Sequence, residues 1–223
     1  MQNDVNTQIL LKNITKKYGE HLILENIDLQ IRKGDFICIF GKSGGGKSTL
    51  LNIIGTLENY DSGDLISFSK LNPIRNAKDR DYLRREKIAY IFQNFALVEN
   101  MTVEENMKLA IKYRKVKDKA GCITSALRAM GVSDKLKSKV FELSGGEQQR
   151  VAMARNMVKP FDILLADEPT GSLDDENKMI VIEALIRLNR EGKTIVVVSH
   201  DKDFKQIANK SYLIENASIR EMR

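Results

Sequence analysis

"FGKSGGGKSTLLN", residues 40–52, sets four glycines and two lysines directly behind the apolar run Phe36-Ile37-Cys38-Ile39-Phe40. Gly41-x4-Gly46-Lys47-Ser48 completes the pattern of a phosphate-binding loop. Glycine lets the backbone curl until successive N–H groups point inward at an anion, and a helix starting there adds its positive end. Lys47 is then placed to reach the β- and γ-phosphates, and the Ser48 hydroxyl to bind Mg²⁺. By average residue usage a chance match in a chain this long has a probability of about 1%. The loop also falls between an expected strand and a helix expected from Lys47 to about Thr56, the context the motif requires. The reading is a nucleoside-triphosphate site built on Gly41, Lys42, Ser43, Gly44, Gly45, Gly46, Lys47, Ser48 and Thr49.

Outward from the loop, the first part of the chain reads as β-rich. Residues 8–18 and 22–31 alternate apolar and polar side chains at period two, as half-buried strands do. Residues 35–40 are almost continuously apolar, suiting a strand covered on both faces. Residues 64–69 and 87–92 suggest further strands. From about 102 to 143 the text turns rich in Lys, Glu, Met and Leu and reads as a helical insertion, with residues 112–119 a charged, solvated face. The last third alternates again: strand 162–167, a helix from Asp174 to about Asn189, strand 194–199, a helix from Asp201 to about Ala208, then two terminal strands. Strands alternating with helices imply a mainly parallel sheet covered on both sides.

The second carboxylate-bearing stretch is "DILLADEPT", residues 162–170, where an apolar strand ends in Asp167 and Glu168. Ligands of open α/β sheets collect at strand carboxyl ends, so Asp167 is expected to hold the metal. Adjacent carboxylates on a strand point in different directions, which leaves Glu168 for a water molecule. A third motif is "ELSGGEQQR", residues 142–150. Ser144 with Glu147 three residues on is a capping box that opens a helix, in which Val151, Ala154 and Met157 recur on one face. The hydroxyl and two glycines at that helix start make a second anion site.

Leu143-Ser144-Gly145-Gly146-Glu147 resembles the signature of the ATP-binding cassette (ABC) ATPases, and other family motifs follow in order. Tyr18 resembles the aromatic residue that stacks on adenine. Gln93 is similar to the glutamine that touches Mg²⁺ and senses the partner. Asp174 lies in the loop that addresses the opposite subunit, and His200 resembles the histidine that contacts the γ-phosphate. The resemblance spans essentially the whole chain. It implies a phosphate-loop NTPase cassette in which a core with a β-subdomain (about 1–101 and 159–223) carries a helical subdomain (about 102–158). It implies ATP and Mg²⁺ as ligands. It implies too a nucleotide-dependent head-to-tail homodimer, in which Ser144, Gly145 and Gly146 of one copy close on ATP held by the other.

A separate transmembrane permease is expected to dock near residues 93–106, with Phe95, Leu97, Val98 and Met101 as a possible groove floor. Within the family, "QQRVAMARNM" and "LLADEPTGSLD" look most like the branch that powers macrolide efflux, lipoprotein release, bacteriocin or antimicrobial-peptide export and cell-division complexes. That implies export or membrane extraction of a peptide, lipoprotein, drug or bacteriocin-like substrate; the alternative is a non-transport or regulatory ABC protein.

Bulk properties agree with this. A chain of 223 residues, 42% apolar and 30% charged, can bury a sizeable core. Its charge of +6, from 36 basic against 30 acidic residues, favours anionic partners only weakly. With about 100 residues between the phosphate loop and the signature and no heptads, no nucleic-acid partner is expected. Cys38 and Cys122 make no disulfide framework, Cys38 being expected as a buried hydrophobe and His21 as a surface residue. No stretch has a signal pattern or approaches the roughly 18 apolar residues of a membrane span, so the expected place is cytoplasmic, peripheral on the inner face of the membrane.

Overall fold

A computed structural model describes residues 6–112, 114–171 and 173–222. Residues 1–5, 113, 172 and 223, which fall within the expected terminal stretches, charged run and Asp174-bearing loop, lie outside the described residues.

The chain runs β1 (Thr7–Tyr18), β2 (His21–Arg32), β3 (Phe36–Gly41), α1 (Lys47–Ile54), β4 (Ser62–Ser67), β5 (Lys70–Leu71), α2 (Ala77–Tyr82) and β6 (Ile88–Ile91). It continues with α3 (Val103–Ile111), α4 (Lys119–Ala129), α5 (Gly145–Met157), β7 (Ile163–Asp167), α6 (Asp175–Arg190), β8 (Thr194–Val198), α7 (Asp203–Ile207), β9 (Lys210–Glu215) and β10 (Ser218–Met222). One sheet is antiparallel in the order β2-β1-β4-β5. The other has the order β10-β9-β3-β8-β7-β6, parallel throughout except for the β9–β10 hairpin.

The strict alternation of the parallel strands divides the interior in two. Phe36 and Cys38, Ile195 and Val197, Leu164 and Ala166, and Ala89 and Ile91 face a core shared with α3 to α7. Their neighbours Ile37 and Ile39, Val196 and Val198, Ile163 and Leu165, and Ile88 and Tyr90 face a second core shared with α1 and the antiparallel sheet. Both faces are buried, which is why these strands read as unbroken apolar runs. Cys38 is fully buried and its thiol is pushed up by that burial, as expected of a small hydrophobe; His21 is exposed.

The departures from the sequence reading are local. The last helix is shorter than expected, starting at Asp203 rather than Asp201, because Asp201 is engaged with Thr170 and Ser199 instead. Residues 77–87 form α2 and a π-helical turn whose short, highly charged text gives no period to read. Among the described residues the helical insertion holds two helices before the signature, with two short 3₁₀ segments after them. Here Thr102 and Glu105 make a second reciprocal capping box.

β6 is an edge strand, and an edge strand needs partners for its outward N–H and C=O groups. Buried Asn156 of α5 supplies them: its Oδ1 accepts from Tyr90 N–H at 3.2 Å and its Nδ2 donates to the Tyr90 carbonyl at 3.1 Å. Asn156→Leu removes both partners at once, and the expected cost is about 2–3 kcal/mol of stability in urea unfolding. A loss below about 0.5 kcal/mol would contradict that role for the amide.

Candidate functional site

The carboxyl ends of β3, β6, β7 and β8 open onto one cleft of about 440 Å³, lined by Gly41, Ser43, Gly44, Lys47, Ser48, Gln93, Glu168, Gly171 and His200. Residues from four separate stretches of sequence thus meet at one sheet edge, where buried strands give way to loops.

The loop after β3 turns into α1 through Gly46, whose φ of 92° lies in the left-handed region. A Cβ there would stand 3.0 Å from both the Ile23 carbonyl and a Leu24 methyl, so glycine is required on two counts. Lys47 is buried and folds back on the loop, its Nζ donating to the carbonyls of Gly41 at 2.9 Å and Lys42 at 3.0 Å. The same ammonium lies 4.0 Å from Glu168 Oε1. Ser48 Oγ donates to Asp167 Oδ1 at 3.1 Å, joining the first turn of α1 to the end of β7. Burial pushes the Asp167 carboxyl above its ordinary range; the Ser48 hydroxyl opposes that shift and the Glu168 charge adds to it.

Glu168 follows with a φ of 45°, a left-handed backbone that costs a non-glycine residue about 1 kcal/mol or more. Its N–H donates to the Val198 carbonyl at 2.9 Å, which holds the strained residue at the end of β8. Its Oε2 receives His200 Nδ1 at 2.9 Å, Ser199 Oγ at 3.3 Å and the His200 N–H at 3.4 Å. A carboxylate acceptor at Nδ1 assigns the proton to that nitrogen. The His200 ring is otherwise open, 71% exposed.

The remaining candidates lie apart from the cleft lining. Ser144, Gly145 and Gly146 open α5 with the expected capping box: Ser144 Oγ accepts from Glu147 N–H at 3.3 Å and Glu147 Oε2 from Ser144 N–H at 2.8 Å. Lys135, 2.9 Å away, and the Ser144 N–H hold the Glu147 carboxyl below its ordinary range. Asp174 caps α6 through the Asn177 N–H at 2.8 Å, and Asn177 lies against Gly146, where a Cβ would come within 2.9 Å of its amide. Asp174 and the glycine pair therefore share one surface. Tyr18 ends β1 half-exposed with Lys16 Nζ 4.6 Å from its ring centre, outside the lining. Lys42, Gly45, Gly46 and Thr49 belong to the loop and first turn without lining the cleft.

Several residues that tie the site to the helical layer gave no signal in the sequence. Buried Gln149 of α5 donates to the Pro169 carbonyl at 2.8 Å, joining the signature helix to the loop that follows Glu168. Arg155, one turn on from Val151, donates to the carbonyls of Phe95 at 3.0 Å and of Ala96, both in left-handed backbone, and so shapes the loop behind Gln93. A single-sequence scan finds no motif in such amides and guanidinium groups, because their partners are backbone carbonyls distant in sequence.

Beside that loop lies an apolar groove of about 350 Å³ whose lining includes Leu57, Phe92, Val98 and Leu109. Of the four residues expected as its floor only Val98 contributes: Leu97 packs against the helical core, and Phe95 and Met101 are outside the lining. Arg84, Arg155 and Lys159 give the groove its charge, with no acidic residue in the lining.

A phosphate loop between strand and helix, a serine–aspartate pair and a capped second anion site together define a nucleoside-triphosphate-binding cassette. The sequence profile of the ABC transporter family matches residues 24–171, and the chain belongs to that family. The macrolide export ATP-binding/permease protein MacB of Campylobacter jejuni is 42% identical over 217 residues, 95% of this chain but 33% of the relative. The chain thus spans about a third of that relative's length. The methionine import ATP-binding protein MetN of the same organism is 38% identical over 95% of this chain and 69% of its own length. The dimeric post-hydrolysis structure of the ATP-binding cassette MJ0796, bound to ADP and Pi, superposes with a TM-score of 0.89 at 35% identity. That match covers 96% of this chain and 98% of the other. Among the described residues no helix is long and apolar enough to cross a membrane.

Lys159 Nζ donates to the carbonyls of Arg84 and Ile88, both at 2.7 Å, and has no carboxylate partner there. Burial, with the Arg155 charge adding, pushes it down from 10.5 to about 8. A lysine lowered in the folded state binds fewer protons there than in the unfolded chain between those values, so stability rises with pH across that window. Urea midpoints of wild type against Lys159→Met, taken at pH 7, 8, 9 and 10, are expected to converge with a slope difference of about 1 kcal/mol per pH unit above pH 8. Parallel curves would rule the burial effect out.

Proposed function

We infer that the cleft at the strand ends binds ATP with Mg²⁺ and hydrolyses it to drive a membrane transporter. The observation that carries this reading is the convergence of Lys47, Ser48, Asp167, Glu168, Gln93 and His200 on one sheet edge. The backbone of residues 41–49 and the Lys47 ammonium take the phosphates, the ammonium exchanging its loop carbonyls for phosphate oxygens. Ser48, Asp167 and Gln93 are the metal-site residues. The Ser48–Asp167 pair fits a hard cation, being two oxygen donors at 3.1 Å with one carboxyl raised by burial. The described residues form no cluster of three or more His, Cys, Asp or Glu, the pattern expected where substrate phosphate and water complete the coordination. Bound there, Mg²⁺ would neutralise charge on the transferring phosphoryl group.

Glu168 then acts on the attacking water. His200 holds its carboxylate through Nδ1 and contacts the γ-phosphate side, and the strained backbone at Glu168 fixes the carboxylate where β7 ends. Tyr18 is the adenine-side residue. Ser144, Gly145, Gly146 and Asp174 share a surface that is outside their own chain's cleft, which supports a role on the nucleotide of a second copy. Two helix N-termini facing one γ-phosphate make ATP a bridge and hydrolysis its removal.

The division at about 102 and 158 into core and helical subdomain belongs to the same reading, with the helical part carrying the signature against the second copy. The apolar groove beside Val98 receives a segment of a permease, which places the chain on the inner face of a membrane. The transported class is a peptide, lipoprotein or drug moved outward or extracted from the bilayer, supported by the likeness to an export protein at 42% identity.

Purified Glu168→Gln protein is expected to keep its ATP affinity and lose at least 90% of steady-state phosphate release; wild-type turnover would remove Glu168 from the water-activating role. Ser144→Arg is expected to abolish turnover while titration calorimetry shows unchanged ATP binding to the monomer. A parallel loss of binding would place the serine on its own chain's nucleotide instead.

A further inference from the structure

Lys178 lies one turn beyond Asp174 in α6, on a helix that contributes nothing to the cleft lining. Its Nζ is 2.8 Å from Asp201 Oδ2 and 2.6 Å from Asp203 Oδ2, so one ammonium joins two carboxylates that flank the end of the His200 loop. Asp201 is itself a junction. Its Oδ2 accepts from Thr170 Oγ1 at 3.2 Å, its Oδ1 from the Asp203 N–H at 3.0 Å, and its own N–H donates to Ser199 Oγ at 3.0 Å. Ser199 in turn donates to Glu168 Oε2, the oxygen that also receives His200 Nδ1.

Three elements therefore meet at Asp201: the loop after Glu168 through Thr170 and α6 through Lys178 at its carboxylate, and the loop around His200 through Ser199 at its backbone N–H. Burial opposes ionisation of Asp201, and the Lys178 ammonium together with the Asp203 N–H and the Thr170 hydroxyl outweighs it, holding the carboxyl below its ordinary range. Asp201 and Lys178 are only 17% and 20% exposed, so the pair keeps more of its Coulomb energy than a pair open to water. Without the ammonium, two neighbouring carboxylates lose their shared counter-charge.

We propose that Lys178 is a positioning residue for hydrolysis: by pinning Asp201 and Asp203 it fixes Ser199 and His200 against the Glu168 carboxylate, and it links that pair to the Asp174 end of α6. It does not line the cleft. The proposal rests on the reading of Glu168 and His200 given above.

The test uses the full chain and the fact that it holds only two histidines, His21 and His200. With ¹⁵N-histidine labelling, the exposed His21 ring is an internal control for the His200 ring. Lys178→Met is expected to shift the His200 ring nitrogens and leave those of His21 unmoved. It is also expected to lower kcat about tenfold with KM for ATP changed less than twofold, and Lys178→Arg is expected to recover most of both. Asp203→Asn, which removes one of the two acids and keeps Lys178–Asp201, should give a smaller change of the same kind, and it carries the test should Lys178→Met fold poorly. Unchanged kcat in Lys178→Met, a fall in kcat with His200 unmoved, or equal changes in kcat and affinity would each overturn the proposal. Glu168→Gln, run alongside, separates the two ideas: retained turnover there sinks the hydrolysis reading, whereas lost turnover with a silent Lys178→Met sinks only the positioning role.

Discussion

The site depends on one constraint: the parallel strands β3, β6, β7 and β8 are apolar on both faces. Every residue of Ile163–Asp167 and Thr194–Val198 is buried, with alternate side chains committed to opposite cores. A strand of this kind has little room for polar chemistry along its length, because each buried polar group would need a partner that two hydrophobic cores do not offer. Polar side chains can therefore appear only where the strand ends. That is where Gly41 begins its loop, where Asp167 and Glu168 stand, where Ser199 and His200 follow, and where Gln93 comes two residues after β6. Convergence of the site follows from burial of the sheet.

What the strand ends need in addition is fixed relative placement, and this comes from backbone carbonyls bonded by buried side chains. Gln149 reaches Pro169, Asn156 reaches Tyr90, and Arg155 reaches Phe95 and Ala96, all from α5. The helix that carries Ser144 at its start thus also holds the loops after β6 and β7. A shift of α5 would be felt at Gln93 and at Glu168 together, since each is one or two residues from a bonded carbonyl. On the other flank, α6 reaches the His200 loop through an ion pair with two carboxylates.

Much of this was legible in the sequence where function is written in residues adjacent along the chain. The phosphate loop, the Asp167-Glu168 pair and the Ser144 capping box each occupy a few consecutive positions; the loop lies between β3 and α1 as read, and the capping box has both of its hydrogen bonds. The alternating strands were readable because burial on one or two faces leaves a period in the text. Legibility failed where a residue's role depends on a partner far along the chain. Asn156, Gln149 and Lys178 are ordinary polar residues on helices until the fold brings Tyr90, Pro169 and Asp201 beside them. It failed again at residues 77–87, where a short helix and a π-turn made mostly of charged residues leave no period, and at the groove, whose lining takes only Val98 of the four residues while Leu97 packs against the helical core. Tyr18 shows a different limit, since its place at a strand end was right and its distance from the cleft could not be read from spacing.

The second anion site stands apart from the cleft. Ser144, Gly145 and Gly146 present a capped helix start, an anion-seeking surface, yet none of the three lines the cleft that holds Lys47 and Glu168. Asn177, bonded to Asp174, packs against Gly146, so this second surface is built as a unit with the start of α6. In the proposed reading, the charge that this surface needs comes from a nucleotide held by another copy, and the γ-phosphate is the part that hydrolysis removes.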